Sequence, residues 1–111
     1  MKISSHTENG VTILELLGNI KTPGDMEEFS SAIQAELDRK NLKLVLNFQE
    51  VGFVNSSGLG RLVLASKKVG EAGGVIKVTG LAQDLDELFT FTRLKEKIAV
   101  FKSEEEALRS F

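Results

Sequence analysis

The side chains that could act as nucleophiles or as their activating bases are few in this sequence. Its only histidine is His6, in a predicted strand, and it contains no cysteine. A G-x-S-x-G nucleophile elbow around Ser56 would need glycine at position 54, where the chain has Val54. One imidazole alone supplies neither a catalytic triad nor a metal-ligand set. The residue types therefore argue against a hydrolase.

Nucleotide and metal motifs are also incomplete. Gly58 and Gly60 resemble the start of a dinucleotide-binding fingerprint, but Val63 occupies the position of its third glycine, and no G-K-[ST] sequence is present. Asp84, Asp86 and Glu87 are spaced as the solvated face of a helix. We expect no metal, no cofactor and no small-molecule substrate, and hence a protein that is not an enzyme.

The most informative segment is residues 51–61, V-G-F-V-N-S-S-G-L-G-R. It places two hydroxyl groups and two glycines where an apolar strand ends and a helix begins. The unpaired N–H groups of a helix N-terminus accept either an anion or the oxygen of a capping side chain. Asn55, Ser56 and Ser57 are each candidate caps, because Asn and Ser are both favoured at that position.

Length and charge limit the kind of protein. With 111 residues, the chain is shorter than the roughly 150 residues typical of one domain, so we expect a single domain spanning residues 1–111. A net charge of −2 without long runs of like charge argues against nucleic acid and anionic membranes as partners. The N-terminus lacks the apolar region of a signal peptide, and no apolar run reaches the roughly 20 residues of a membrane span. These features predict a cytoplasmic protein.

Periodicity predicts the order ββαβαβαβα. This order indicates an α/β fold with a mostly parallel five-stranded sheet, an N-terminal antiparallel strand and about four helices. Asn9-Gly10 predicts the first hairpin, and Thr22 before Pro23 predicts the start of the first helix, with Glu36 on its solvent side. The predicted inward-facing positions of the second helix are Leu59, Leu62, Val63, Ser66 and Val69, and those of the last helix are Ala107, Leu108 and Phe111.

Residues 55–60 resemble the D-S-[ST]-G-L-G signature of the STAS domain, specifically the small bacterial anti-sigma factor antagonists. The likeness extends along the chain through the N-G hairpin, Gly18-Asn19-Ile20, the strand before the signature and Thr79-Gly80-Leu81. It implies that Ser56 is phosphorylated by a partner that is both an anti-sigma factor and a serine kinase. It further implies that only the unphosphorylated form binds this partner and frees the sigma factor. The sequence departs from the signature at Asn55, where the family has Asp.

The surface that would dock on such a partner follows from the predicted topology. Loops at the carboxyl ends of parallel strands share one edge of a sheet, so residues 19–24 should lie beside the signature and the start of the second helix. Leu64 falls outside the inward-facing stripe and is either an interface residue or simply exposed. The expected partner-binding residues are Lys21, Thr22, Asn55, Ser57, Gly58, Gly60, Arg61 and Leu64. Within the same family, an alternative role is the small STAS subunit of a lipid-transport ATPase.

Overall fold

A computed structural model describes all residues 1–111 and confirms the α/β fold with one five-stranded sheet. The strands are β1 (Lys2–Glu8), β2 (Val11–Leu17), β3 (Lys43–Glu50), β4 (Val75–Thr79) and β5 (Ala99–Phe101). The α-helices are α1 (Pro23–Asp38), α2 (Ser56–Glu71), α3 (Gln83–Phe91) and α4 (Glu104–Arg109). A short 3₁₀ helix, Leu94–Glu96, precedes β5.

The strands lie side by side in the order in which they occur along the chain. β1 and β2 are antiparallel, and every later neighbouring pair is parallel. The hairpin between β1 and β2 turns at Asn9 and Gly10, whose φ angles are 53° and 78°. Positive φ at both central residues is the requirement of a type I′ turn, which explains why Asn-Gly predicted the hairpin.

The strand order places α1, α2 and α3 on one face of the sheet, because successive right-handed crossovers all step in the same direction. That face carries the main core of 20 buried residues, including Phe29, Phe48 and Phe89. The opposite face has a smaller buried cluster, where Ala107 of α4 packs on Val45 and its neighbours. The loops that lead from the carboxyl ends of β2, β3 and β4 into α1, α2 and α3 therefore lie along the same edge of the sheet.

The structure corrects two helix faces. Glu36 was expected on the solvent side of α1 but is 4% exposed, and its carboxylate accepts hydrogen bonds from Asn41 Nδ2 at 2.9 Å and Arg39 Nη1 at 3.1 Å. On α2, Ala65 is buried although it was not assigned to the core, whereas Val63 and Ser66 are only half-buried. Leu59 is also half-buried. Leu59 and Val63 nevertheless pack against the main core as predicted, so the inward-facing stripe of α2 keeps these positions and gains Ala65.

The C-terminal region departs from the prediction in two places. Arg93 adopts a left-handed conformation, with φ 62°, and leads into the 3₁₀ helix, which the sequence pattern did not indicate. Phe111 was expected to face inward but is 36% exposed. Its ring instead lies against the Nζ atom of Lys77, at 4.1 Å from the ring centroid. A cation–π contact thus replaces the predicted core contact.

Candidate functional site

The N-terminus of α2 is capped by Asn55. Its backbone is extended, with φ −78° and ψ 174°, and its Oδ1 atom accepts a 2.7 Å hydrogen bond from the amide of Gly58. Of the three candidate caps, Asn55 is therefore the residue that caps α2. Ser56 and Ser57 are the first two residues of the helix and are exposed. Neither hydroxyl is needed to start the helix.

The loop after β2 and the loop after β3 are joined by backbone hydrogen bonds, as the expected shared edge required. Ile20 donates to the carbonyl of Phe53 at 3.0 Å, and its own carbonyl accepts from the amide of Asn55 at 3.0 Å. The side chain of Asn19 adds two more contacts, because its Oδ1 atom accepts from the amides of Gly52 at 2.9 Å and Phe53 at 3.0 Å. Both loops are consequently held in one fixed arrangement.

The segment that carries Lys21 and Thr22 is fixed by a capping box at the start of α1. The hydroxyl of Thr22 accepts from the amide of Asp25 at 3.1 Å, which confirms Thr22 as the cap. The carboxylate of Asp25 accepts in return from the amides of Lys21 at 3.1 Å and Thr22 at 3.0 Å. These two backbone hydrogen bonds hold the pKa of Asp25 well below its usual range, and the one from Lys21 has the larger effect.

Four of the expected partner-binding residues line one shallow depression of 660 Å³, open to solvent. These are Lys21, Asn55, Ser57 and Arg61. Arg61 reaches across to α1, where its Nη1 atom donates to the hydroxyl of Ser30 at 2.9 Å. Ser56 is absent from this lining, although both of its chain neighbours belong to it. The depression has two cationic side chains and one carboxylate, Glu27, on its walls.

The two signature glycines have different environments. Gly58 is buried, and a Cβ atom there would lie 2.8 Å from Ile20 Cγ2 and 2.9 Å from Val54 Cγ1. The close packing of α2 on the loop therefore explains why position 58 is glycine. Gly60 is exposed, and a Cβ atom there would meet nothing within 4 Å. The fold itself does not require glycine at that position.

Two apolar side chains near this edge are exposed. Leu64 is 46% exposed and borders a narrow cleft between α2 and α1. Phe53, which no motif or periodicity singled out, is 51% exposed in the loop that follows β3. Its position two residues before the signature, outside any periodic element, was the signal that could have identified it. We use the name switch face for the surface formed by Lys21, Phe53, Ser56, Arg61 and Leu64.

Other types of site find little support in the geometry. No three His, Cys, Asp or Glu side chains are grouped so that they could hold a metal ion. His6 Nε2 lies 3.8 Å from Glu8 Oε1. No helix combines the length and the apolar character that crossing a membrane requires.

The comparison with known families is decisive for residues 2–107, which match the family model of the STAS domain. The chain belongs to the STAS domain family. The matched range includes β1 to β5, α1 to α3 and most of α4. It therefore contains every residue of the switch face.

Solved structures similar to this STAS domain include two anti-sigma factor antagonists. The one from Mycobacterium paratuberculosis superposes with a TM-score of 0.86 at 21% identity, covering 98% of this chain and 92% of that one. The Bacillus cell fate determinant SpoIIAA in its phosphorylated form gives a TM-score of 0.74 at 17% identity, covering 98% of both chains. At these identities the likeness establishes the shared fold.

A third similar structure is a membrane protein. The murine Slc26a9 anion transporter gives a TM-score of 0.71 at 20% identity over 89% of this STAS domain, but only 17% of the transporter is covered. The same fold thus occurs as a small part of a much larger transport protein.

Proposed function

We propose that this STAS domain is an anti-sigma factor antagonist. In its unphosphorylated form it binds a protein that is both anti-sigma factor and serine kinase, and phosphorylation of Ser56 ends this binding. The observation that carries the proposal is the position of Ser56, which is exposed at the first turn of α2 while its neighbour Asn55 caps the helix. The serine hydroxyl is free for modification because the fold does not use it.

A phosphate on Ser56 is compatible with the fold. It would add about 1.5 to 2 negative charges at a helix N-terminus, where the helix dipole favours negative charge. The cap that starts α2 would remain, since it comes from the Asn55 side chain. The modification would therefore change the surface of the domain while leaving its structure in place.

The switch face is suited to binding a protein partner. Its two loops are fixed by the hydrogen bonds of Asn19, Ile20 and Asn55, so little conformational entropy is lost when a partner docks. Phe53 and Leu64 offer exposed apolar contact, and Lys21 and Arg61 add two cationic side chains. A phosphate placed in such an interface against an acidic or apolar partner surface would cost several kcal/mol.

Asn55, where the family has Asp, changes the electrostatics of the switch. The amide adds no negative charge beside the phosphate, so like-charge repulsion in the modified state is reduced. A kinase that uses the acidic residue to orient the serine hydroxyl would lose that aid. These two effects act on different steps, the stability of the modified form and the rate at which it is made.

The alternative role is that of an accessory subunit in a lipid-transport ATPase. The occurrence of this fold within an anion transporter supports an association with transport proteins. That role would not require phosphorylation of Ser56. The replacement of the family's Asp by Asn55 would then not impair the function. The two roles predict different partners, an ATPase-fold serine kinase or an ATP-binding transporter subunit.

Affinity capture followed by a kinase assay separates these roles. Ser56→Ala and Ser56→Asp serve as matched baits, with Ser31→Asp as the control for added charge at an exposed serine of α1. We expect a serine kinase with Ser56→Ala and Ser31→Asp but not with Ser56→Asp. Incubation of the purified kinase, Mg-ATP and the unmodified domain should then place phosphate on Ser56 and not on Ser57, as read by mass spectrometry. Capture of a transporter subunit by all three baits would favour the alternative.

A further inference from the structure

The outer edge of β1 is a long strand edge with no neighbour in the sheet. β1 pairs with β2 through seven consecutive residue pairs with no bulge, and it contains no proline. Six of its seven residues are exposed. The opposite edge of the sheet, β5, is only three residues long. Proteins usually protect an edge by shortening it, bulging it or placing charged side chains on it. β1 is neither short nor bulged, and its lysine and glutamate, Lys2 and Glu8, stand only at its two ends.

The side chains of β1 fall into two sets by sheet face. Lys2, Ser4, His6 and Glu8 share one face, as alternate residues of a strand do, and Ile3, Ser5 and Thr7 share the other. When two copies of an edge strand pair antiparallel around a two-fold axis, each residue faces a partner residue on the same side of the sheet. The allowed registers are therefore those in which even-numbered residues pair with even-numbered residues and odd-numbered residues pair with odd-numbered ones.

Among these registers, the one centred on Ser5 is self-complementary. It pairs all seven residues of β1 with those of the second copy and places Lys2 opposite Glu8 at both ends. A register centred on Ser4 would instead set Lys2 against His6. A register centred on His6 would place two imidazoles face to face and move Lys2 opposite the turn at Gly10.

We propose that two copies of this chain associate through β1, antiparallel and centred on Ser5, to form a continuous ten-stranded sheet. Backbone hydrogen bonds between the edges would hold the pair together, and the two Lys2–Glu8 contacts would select its register. The association should be weak and dependent on concentration, because one pair of strands is small beside the roughly 1,200 Å² of a stable specific interface. It is independent of the switch face and of the proposed function.

Charge reversal provides the test. Lys2→Glu and Glu8→Lys each place like charges opposite one another at both ends of the strand pair, whereas the double variant Lys2→Glu/Glu8→Lys restores opposite charges. Lys67→Glu, at an exposed lysine of α2, is the matched control for net charge. Any purification tag belongs at the C-terminus, away from Lys2.

Sedimentation and ¹H–¹⁵N spectra are measured from about 20 μM to about 1 mM protein, a range that spans weak dissociation constants. We expect the unmodified chain to dimerise, with concentration-dependent shifts centred on residues 2–8. Each single variant should raise the dissociation constant at least about fivefold, and the double variant should return it to within about threefold.

A chain that stays monomeric at the highest concentration would overturn the proposal. So would shifts centred on another surface, or an equal effect of Lys67→Glu and Lys2→Glu. The spectra also report whether each variant is folded, and the two single variants give independent readings of the same contact. Recovery by the double variant cannot arise from misfolding and would support the register directly.

Discussion

The side chain of Asn55 ties the start of α2 to the loop before α1, because its Nδ2 atom donates a 3.1 Å hydrogen bond to the carbonyl oxygen of Lys21. The same carboxamide caps α2 through its Oδ1 atom. A carboxylate could accept the capping hydrogen bond but has no hydrogen to donate to a carbonyl. The departure from the family signature thus has a structural use in this chain.

Asn55→Asp should keep the cap and lose the link to Lys21. We expect the free energy of unfolding to fall by less than about 1 kcal/mol, since only one hydrogen bond between exposed groups is removed. Asn55→Ala loses both contacts and should cost about 1 to 2 kcal/mol. Urea denaturation measures both changes. An aspartate variant as unstable as the alanine variant would show that the link, rather than the cap, carries the stability.

Changes at Ser56 should separate affinity from stability. Ser56→Ala should alter the free energy of unfolding by less than about 0.5 kcal/mol, because the residue is exposed and the cap is Asn55. Ser56→Asp should raise it by about 0.3 to 1 kcal/mol through the helix dipole. Binding of the kinase partner, measured by calorimetry, should nevertheless be about tenfold weaker for Ser56→Asp than for Ser56→Ala. Equal affinities would contradict the phosphorylation switch.

Replacing the glycines of α2 by alanine should change the free energy of unfolding in opposite directions, depending on the position. Gly58→Ala should lose about 1 to 3 kcal/mol, because its methyl group would overlap Ile20 and Val54. Gly60→Ala and Gly70→Ala both meet open space and should gain about 0.5 to 1 kcal/mol from higher helix propensity. Thermal denaturation compares the three variants.

Gly60 and Gly70 also form a matched pair for binding. If the partner approaches α2 closely at Gly60, Gly60→Ala should weaken its binding while Gly70→Ala leaves it unchanged. The same loss for both variants would place the contact away from Gly60.

Leu64→Arg should weaken partner binding without unfolding the domain. Leu64 is 46% exposed, so we expect its replacement to change the free energy of unfolding by no more than about 0.5 kcal/mol. The comparison is Leu62→Ala in the core, 1% exposed, which should cost about 2 to 5 kcal/mol. Unaltered affinity for Leu64→Arg, measured by calorimetry, would move the docking surface away from this helix face.

Asp25 should make stability depend on pH in the acid range. Its folded pKa is lowered by the amides of Lys21 and Thr22, so the unfolded chain takes up a proton first as the pH falls. The stabilisation is present above the unfolded pKa of about 3.9 and is lost as the pH drops from there towards the lower folded value. Denaturation at several pH values should show a shallower acid decline for Asp25→Asn. Identical slopes would contradict the role of this carboxylate.

Most of the fold could be predicted because its signals are local. The Asn9-Gly10 turn and the Thr22 cap each follow from a few adjacent residues, and alternation or helical periodicity marks the elements between them. The meeting of the loops at Ile20 and Val54 then followed from the rule that parallel strands end at one edge. Asn55 as the cap could not be chosen over its serine neighbours, since all three are good caps.

What the sequence did not reveal depends on contacts between elements. Glu36 has the pattern of a surface residue, and its burial follows from Asn41, a partner five residues later in the next loop. Phe111 lies against Lys77, which is distant in the chain and near only after β4 and α4 have packed. The exposure of Phe53 likewise depends on how Asn19 holds its loop. Periodicity carries no information on such pairs.

The side-by-side order of the strands also affects how the domain folds and how it opens locally. Every strand pairs with its immediate predecessor in the chain, so no pairing step closes a loop longer than one helical crossover, and the entropy of loop closure rises only slowly with that length. The last unit, β5 with α4, can also detach without separating any other pair of strands. β5 is held by only three residue pairs, against seven for β1 at the other edge, so local opening of the sheet should cost least at the C-terminal edge. β3 is bound on both sides and should open only when the sheet as a whole is lost.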